Sequence, residues 1–447
     1  MTPSSAPSFE CSLRAHWRMG LFLLVVAVPS VFLAATTLRV ATAFTLGERG
    51  GLTELQRALS LDPANPEIHR RLGLVECYLS DPPDLSEGVK QLRQATELAP
   101  LRPLYWSDLG SACEASGDRV CADQAFAKVL SLNPMMPRSH WVVGNYYLRA
   151  NQPDQAMAEF RQLLELNPEG DYAQRIFELG LRAVDDPEVI FEQVLAAQKG
   201  PERKLEFVNY LSLHDRADDA YRAWTRTVAN ATPFPLSLAQ PYLDRLFTLR
   251  RYQDMLGAWQ DLERLGVIKT PAEDHPANLV FNGGFEQAPL NTGFDWHSQE
   301  ASFVFFDFSD PDAHQGERCL RLEFTVKRND VFQPVYQVVP VAPRQEYILT
   351  AYTRSANITS DSGPRLRLFD PAHPENLDVS SETTVGTTPW HPVSLTFRTG
   401  EDMHFLLLSI WRPRGRSFPT EITGTFWVDD ISLKPSGAAA QTKAPRG

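Results

Sequence analysis

With 447 residues, 43% of them hydrophobic and 22% charged, the chain has material for about two or three folded domains with real cores. Its 43 Lys and Arg stand against 55 Asp and Glu, and a net charge of −12 argues against a general nucleic-acid binder, which needs clustered cations. Five cysteines are too few for a disulfide scaffold, and no Cys-x-x-Cys spacing offers a zinc site.

In chain order, residues 1–18 form a short tail and Met19 to Leu38 follow as MGLFLLVVAVPSVFLAATTL, an uncharged run that crosses hydrocarbon at about 1.5 Å per residue. Pro29 interrupts it, as membrane helices tolerate. Arg14, His16 and Arg18 precede the run, and Glu48 and Glu54 lie beyond it. Basic flanks stay on the cytoplasmic side, so the expected topology is a single pass through the inner (cytoplasmic) membrane, with a cytoplasmic N-terminus and the bulk extracytoplasmic. The rival is a signal peptide cleaved at Ala41-Thr42-Ala43. A longer apolar run than a usual signal core, and Arg39 ahead of that site, favour an uncleaved anchor.

Residues 51–168 carry a periodic signal. Prolines at 63, 100, 134 and 168 close the runs LSLDP, TELAP, LSLNP and LELNP, and Gly73, Gly110 and Gly144 keep the same steps of 37 and then 34 residues. A sustained cycle of about 34 residues marks an array of helix–turn–helix units. The repeats resemble tetratricopeptide repeats. Gly110, Ala122, Phe126 and Pro134 match that family's framework, as do Gly144, Ala156, Phe160 and Pro168. Gly73, Gly88, Leu92 and Pro100 match it again, with three extra residues at Asp81-Pro82-Pro83. The resemblance implies that small residues let paired helices approach, that the aromatic fills the wedge to the next hairpin, and that proline ends the second helix. Cys113 and Cys121 fall on the two helices of one expected hairpin. They are either two small buried hydrophobes or, in an oxidising compartment, a bridge.

The register fades over residues 169–266, yet EFVNYLSLHDRADDAYRAW (206–224) aligns with PYLDRLFTLRRYQDMLGAW (241–259). Leu211 falls on Leu246 and Trp224 on Trp259, so this stretch reads as degenerate repeats. Stacked hairpins usually build a protein-binding groove, for which Trp141, Asn145, Tyr146 and Tyr147 are candidates; the alternative is a spacer.

Beyond a linker at 267–277, β-branched and aromatic residues alternate through 278–434, ahead of a low-complexity tail at 435–447. Strands are expected at 302–308, 319–324, 335–341, 347–354, 365–369, 391–399, 404–411 and 425–433, a spacing that predicts a sandwich of antiparallel sheets. The expected fold class is therefore multidomain, α then β: a transmembrane helix, an all-α helical-hairpin solenoid, and an all-β jelly roll. NLVFNGGFE (278–286), GFDW (293–296) and FWVDDISL (426–433) resemble the jelly-roll carbohydrate-binding modules of families four and nine. The resemblance implies a structural calcium held by Glu286 and Asp430 with the backbone oxygen of Gly284, as hard oxygen ligands suit calcium; strand-capping or ion-pairing carboxylates are the alternative. Sugar binding stacks an aromatic on a pyranose and offers planar polar groups to its hydroxyls. Tyr336, Gln337, Arg354 and Trp411 are the candidates, with Trp296, Trp390 and Trp427 assigned to the core.

No phosphate-cradling loop, His-Glu-x-x-His or Gly-x-Ser-x-Gly is present in the sequence, and Asp429 and Asp430, adjacent on a strand, point to opposite faces. The expectation is a non-enzymatic, membrane-anchored scaffold that holds a protein partner in its repeats and a polysaccharide on its β-module, in surface polysaccharide assembly or export. A structural protein whose β-module binds no sugar, or a glycan-active enzyme, are the alternatives.

Overall fold

The computed structural model describes residues 16–168, 170–270, 278–299 and 301–436. They divide into two compact units. One holds the chain up to Tyr172 with Leu179–Asp185, and the other holds Ala173–Glu178 with the chain from Asp186 onward.

The first unit is helical: α1 (His16–Arg49), α2 (Leu52–Leu61), α3 (Pro66–Tyr78), α4 (Leu85–Leu98), α5 (Pro103–Ser116), α6 (Arg119–Leu132), α7 (Pro137–Arg149) and α8 (Pro153–Leu166), with α9 (Ala173–Val184) shared between the units. Proline at the first turn starts α3, α5, α7 and α8, where its missing N–H costs nothing. The side chains of Asn65, Asp84 and Asp118 accept backbone N–H groups and cap α3, α4 and α6. The helices α4, α6 and α8 end at Leu98, Leu132 and Leu166, two residues before Pro100, Pro134 and Pro168.

Consecutive helices pair as antiparallel hairpins, and small residues set their approach. Phe126 and Phe160 are fully buried, and so are Ala122 and Ala156. A Cβ on Gly110 would lie 2.9 Å from the Phe126 ring, and one on Gly144 would lie 2.6 Å from the Phe160 ring. Gly73 lies over Leu92 and the carbonyl of Gly88 in the same way.

The array does not begin near Gly51. The helix α1 runs without a break past the apolar stretch, and its last turns form a hairpin with α2. Ala43 is fully buried there in a cluster with Ala58 and Ile68, and Arg71 donates to the Gly47 carbonyl (3.1 Å) and pairs with Glu48 (2.8 Å). The sequence pattern missed this hairpin because its first helix has the composition of a membrane span. From Met19 to Arg49, α1 is long and apolar enough for a membrane span or a signal sequence, and its apolar residues from Leu21 to Leu33 are exposed.

Cys113 and Cys121 form a disulfide that clips α5 to α6 across a Cα separation of 5.7 Å. Reducing it is expected to lower the stability of the helical unit by about 2–3 kcal/mol, the chain-entropy value for so short a loop. Thermal melts with and without dithiothreitol check this, and the double Cys113→Ser, Cys121→Ser variant should match the reduced protein.

The second unit joins helices to a β-sandwich. It contains α10 (Pro187–Ile190), which continues as a π-helical turn through Leu195, then α11 (Glu202–Leu213), α12 (Ala217–Val228), α13 (Gln240–Thr248) and α14 (Tyr252–Arg264). The aligned tryptophans serve different ends. Trp224 is fully buried, stacks on Tyr242 and donates to Asp261 (3.1 Å), whereas Trp259 packs edge-on against Phe281 and Phe294 of the β region.

Ten strands follow: β1 (His297–Ser298), β2 (Val304–Asp310), β3 (Cys319–Arg328), β4 (Phe332–Pro340), β5 (Glu346–Ile358), β6 (Arg365–Phe369), β7 (Asp378–Ser380), β8 (Gly386–Arg398), β9 (Phe405–Arg412) and β10 (Ile422–Pro435). They form two antiparallel five-stranded sheets, β1-β4-β9-β6-β7 and β2-β3-β10-β5-β8, whose inner faces share one apolar core. The short strands β1 and β7 carried too few residues to register as alternation. Gly283 is required by close approach: it accepts the N–H of Ile431, and a Cβ would run into the Ile431 carbonyl.

The sandwich does not stand apart from the helices. The Phe247 ring lies 4.7 Å from His297 and 5.9 Å from Tyr336, Tyr252 lies 5.6 Å from Phe405, and Thr292 donates to Asp244 at 2.6 Å. The hairpin α13–α14 is thus packed on the first sheet. Most of the expected linker (271–277) and of the tail (437–447) lies outside the described residues.

Candidate ligand face of the β-sandwich

Alternation fixes which side chains leave the core. On β9, Leu406, Leu408 and Ile410 point inward, so Phe405, Leu407, Ser409 and Trp411 point outward. The register places Tyr336 of β4 and Arg367 of β6 on either side of Ser409, and Arg365 beside Trp411. Arg367 is the centre of this face. Its guanidinium is bidentate to Asp378 (2.7 Å to each oxygen), donates to Gln333 (3.2 Å) and lies 4.7 Å from the Trp411 ring. Arg365 lies 5.6 Å from the same ring. Ser409 is buried beneath them with its hydroxyl unpaired.

The result is a row of aromatic and planar polar groups, half-buried and held by one another. At the Tyr336 end a cleft of about 480 Å³ is lined by Gln299, Gln333, Tyr336 and Phe369 from the sheet region and by Phe247 and Tyr252 from the helical hairpin. At the other end a cleft of about 530 Å³ surrounds Trp411.

Of the four residues expected to bind sugar, Tyr336 and Trp411 share this face. Gln337 does not: it points inward, is fully buried, and its amide clamps the backbone of Phe281, accepting its N–H (3.0 Å) and donating to its carbonyl (2.9 Å). Arg354 belongs to the second sheet, where it covers Trp427 at 4.6 Å and pairs with Asp312 at 3.3 Å. Trp296 is core, and Trp427 is buried under Arg354, but Trp390 is half-buried at the edge of a stack made by His314 and Tyr352. Sequence reasoning missed Arg365 and Arg367. The alternation in RLRLF held the signal, since it puts both arginines on one side of the strand.

The carboxylates near Gly284 also differ from expectation. Asp430 hydrogen-bonds the His314 ring at 2.5 Å, while the carboxylate that lies beside Gly284 is that of Asp429. Strand β10 carries a bulge between Asp429 and Ser432, which breaks strict alternation at this pair. Asp429 is fully buried and accepts the N–H groups of His314, Gln315 and Asp430. Burial first, and then the Asp430 charge, push its carboxyl up to about 7 despite those donors. Glu286 accepts the N–H groups of Glu317 and Arg318. Among the described residues no three Asp, Glu, His or Cys converge on one point, so a calcium here would take two carboxylates and draw its remaining ligands from backbone oxygens and water.

In the helical unit, Tyr146 is not a groove residue. It is buried against Phe126 and donates to Asp123 at 2.6 Å. Trp141 rests half-buried on Phe160 and Tyr172, Asn145 donates to the Trp141 carbonyl, and Tyr147 is half-buried. A small cleft of about 170 Å³ opens between α5, α6 and α7, lined by Leu104, Ser107, Arg138 and Val142 among others.

A family model for the tetratricopeptide repeat matches residues 137–169, which cover α7 and α8. Repeats of this kind suggest a protein-interaction scaffold. No curated protein matches the chain. Among solved structures, the chain is similar to the MamA protein (16% identity, 45% of this chain and 98% of that one, TM-score 0.30). It is similar also to YrrB, described as a tetratricopeptide-repeat protein with an unusual peptide-binding site (16%, 41% and 89%, TM-score 0.29). A family 4 carbohydrate-binding module is similar at 13% identity over 35% of this chain and 99% of that one, with a TM-score of 0.26.

Proposed function

We propose that the chain is a single-pass, membrane-anchored extracytoplasmic scaffold that holds a protein partner through its repeats and a glycan on the first sheet of its sandwich, in the assembly or export of a surface polysaccharide. The observation that carries the glycan reading is the outward row of Tyr336, Gln333, Arg367 and Trp411, which combines stacking surface with oriented polar groups. The uncleaved anchor is supported by Ala43: cleavage after it would remove the buried helix partner of α2.

Titrating the full chain in detergent with a panel of oligosaccharides tests the reading. Trp411→Ala is expected to weaken binding about tenfold or more and to leave the cooperative unfolding transition in place, because the ring packs on arginines at the surface and not in the core. No retention on any polysaccharide, with or without calcium, would sink the glycan reading. The structural calcium is proposed between Glu286 and Asp429. Calcium added to chelator-treated protein should raise the unfolding midpoint of the sandwich, and Asp429→Asn should remove that rise.

A second reading, in which the β-part only mediates protein contacts, draws on the packing of Phe247 and Tyr252 over one end of the same face. Intact glycan affinity in Phe247→Ala would count against it, because the covered end would then be no obstacle to the ligand.

A further inference from the structure

We propose that the recess around Trp411 takes an acidic polysaccharide, with Arg365, Arg414 and Arg416 meeting its carboxylates. The proposal rests on the glycan reading above and names the class of sugar. The chain carries a net charge of −12, yet this recess is lined by three arginines and one carboxylate, Asp361. That carboxylate is engaged locally, accepting the backbone N–H groups of Arg416 (3.3 Å) and Ser417 (2.8 Å). Among the described residues none of the three guanidiniums forms an ion pair, whereas Arg367, two residues from Arg365, is fully committed to Asp378. Burial holds Arg365 below its ordinary pKa, with Asp361 opposing, and its buried Nε has no acceptor. A bound carboxylate would supply the missing countercharge.

The recess is also built in advance. The loop that carries Arg414 and Arg416 is pinned by Asn329, which accepts the Gly415 N–H (2.7 Å) and donates to the Gly415 carbonyl (3.1 Å). Ser362 holds the Pro413 carbonyl at 2.9 Å. The cations therefore need little ordering when the ligand arrives, which conserves affinity. Trp411 supplies the stacking floor beside them, so one sugar ring can rest on the indole while its carboxylate faces the arginines. A lipid surface would engage the loop's outermost side chain, Phe418, which is 96% exposed, before it reached the recessed Trp411 and Arg365.

The test uses the full chain in zwitterionic nanodiscs, titrated with oligomers of galacturonate, mannuronate and glucuronate and with the carboxyl-reduced counterpart of each. The expected result is binding of at least one acidic series, about tenfold or more tighter than its reduced counterpart, with an affinity that falls as salt is raised. The double variant Arg365→Gln, Arg414→Gln should lose that preference while still binding the reduced oligomer, a readout that a misfolded site would not give. Equal binding of acidic and reduced oligomers would overturn the proposal and leave the glycan reading standing. Binding of another glycan but of none of these would overturn the proposal alone, and binding of no glycan at all would overturn both. Association of the loop with phosphatidylglycerol vesicles, without uronate binding, would replace the glycan by a membrane surface and overturn the proposal as well.

Discussion

Replacing Arg412 by Leu is expected to destabilise the β-sandwich by about 3–5 kcal/mol, because several buried acceptors would each lose about 1–3 kcal/mol of satisfaction. Arg412 is fully buried at the end of β9, facing the opposite way from Trp411. Its guanidinium donates to the carbonyls of Ser362 (2.8 Å), Asp330 (2.7 Å) and Thr420 (2.8 Å), to the Ser360 hydroxyl (3.0 Å) and to Asn329 (3.4 Å). Its direct acceptors are all uncharged, so burial holds its pKa below the ordinary value, with the charges of Asp361 and Asp330 opposing. The side chain therefore works as a hydrogen-bonding hub that gathers three loops. Arg412→Lys keeps the charge but loses the fork, and should fall between wild type and Arg412→Leu. Urea unfolding of the three proteins, followed by tryptophan fluorescence, reads this order; a Leu variant within about 1 kcal/mol of wild type would show that the loops are held by other contacts. The same substitution should abolish ligand binding at Trp411, since the pinned loop forms one wall of that recess.

Phe160→Ala should cost the helical unit about 3–5 kcal/mol, the range for truncating a fully buried phenylalanine. The ring fills the space over Gly144 and contacts Trp141, so its loss opens a cavity within the α7–α8 hairpin. Gly144→Ala forces the same ring to move and should cost about 1–3 kcal/mol by overpacking. Because each hairpin contacts chiefly its neighbours, hydrogen exchange should quicken first in α7 and α8 and then in the adjoining hairpins. Uniform loss of protection across the whole unit would instead mean that it unfolds as one block.

Much of this fold was legible because its cues are local. Proline after each second helix, and glycine opposite Leu92, Phe126 or Phe160, repeat at a nearly fixed interval, so each hairpin declares itself. The first hairpin was hidden because one amino-acid composition serves both lipid and a neighbouring helix along α1. The strands were legible from alternation, but their partners were not. Which sheet receives β5 depends on pairings far apart in sequence, and this is why Arg354 and Trp411, adjacent in chemical logic, are found on different sheets. Gln337 illustrates a further limit: an amide on a strand reads as a polar contact, and only the tertiary fold reveals that it is spent on the Phe281 backbone. Strict alternation divides Asp429 and Asp430 between two faces, but a bulge invisible in the pattern interrupts the register there, and both carboxylates meet His314.

The unbroken run of α1 has a mechanical meaning. Ala43 lies five residues beyond Leu38, about 7 Å along a helix axis, and it is already locked into the first hairpin. Seated in a bilayer, such a helix provides no swivel between lipid and protein. Tilt or rotation of the span would be delivered to the repeats as torque, and the first hairpin would ride in the headgroup layer. Partners of the repeats would then meet them at a fixed height and bearing above the membrane, and an insertion of two glycines between Leu38 and Ala43 would weaken that coupling by softening the helix at the join.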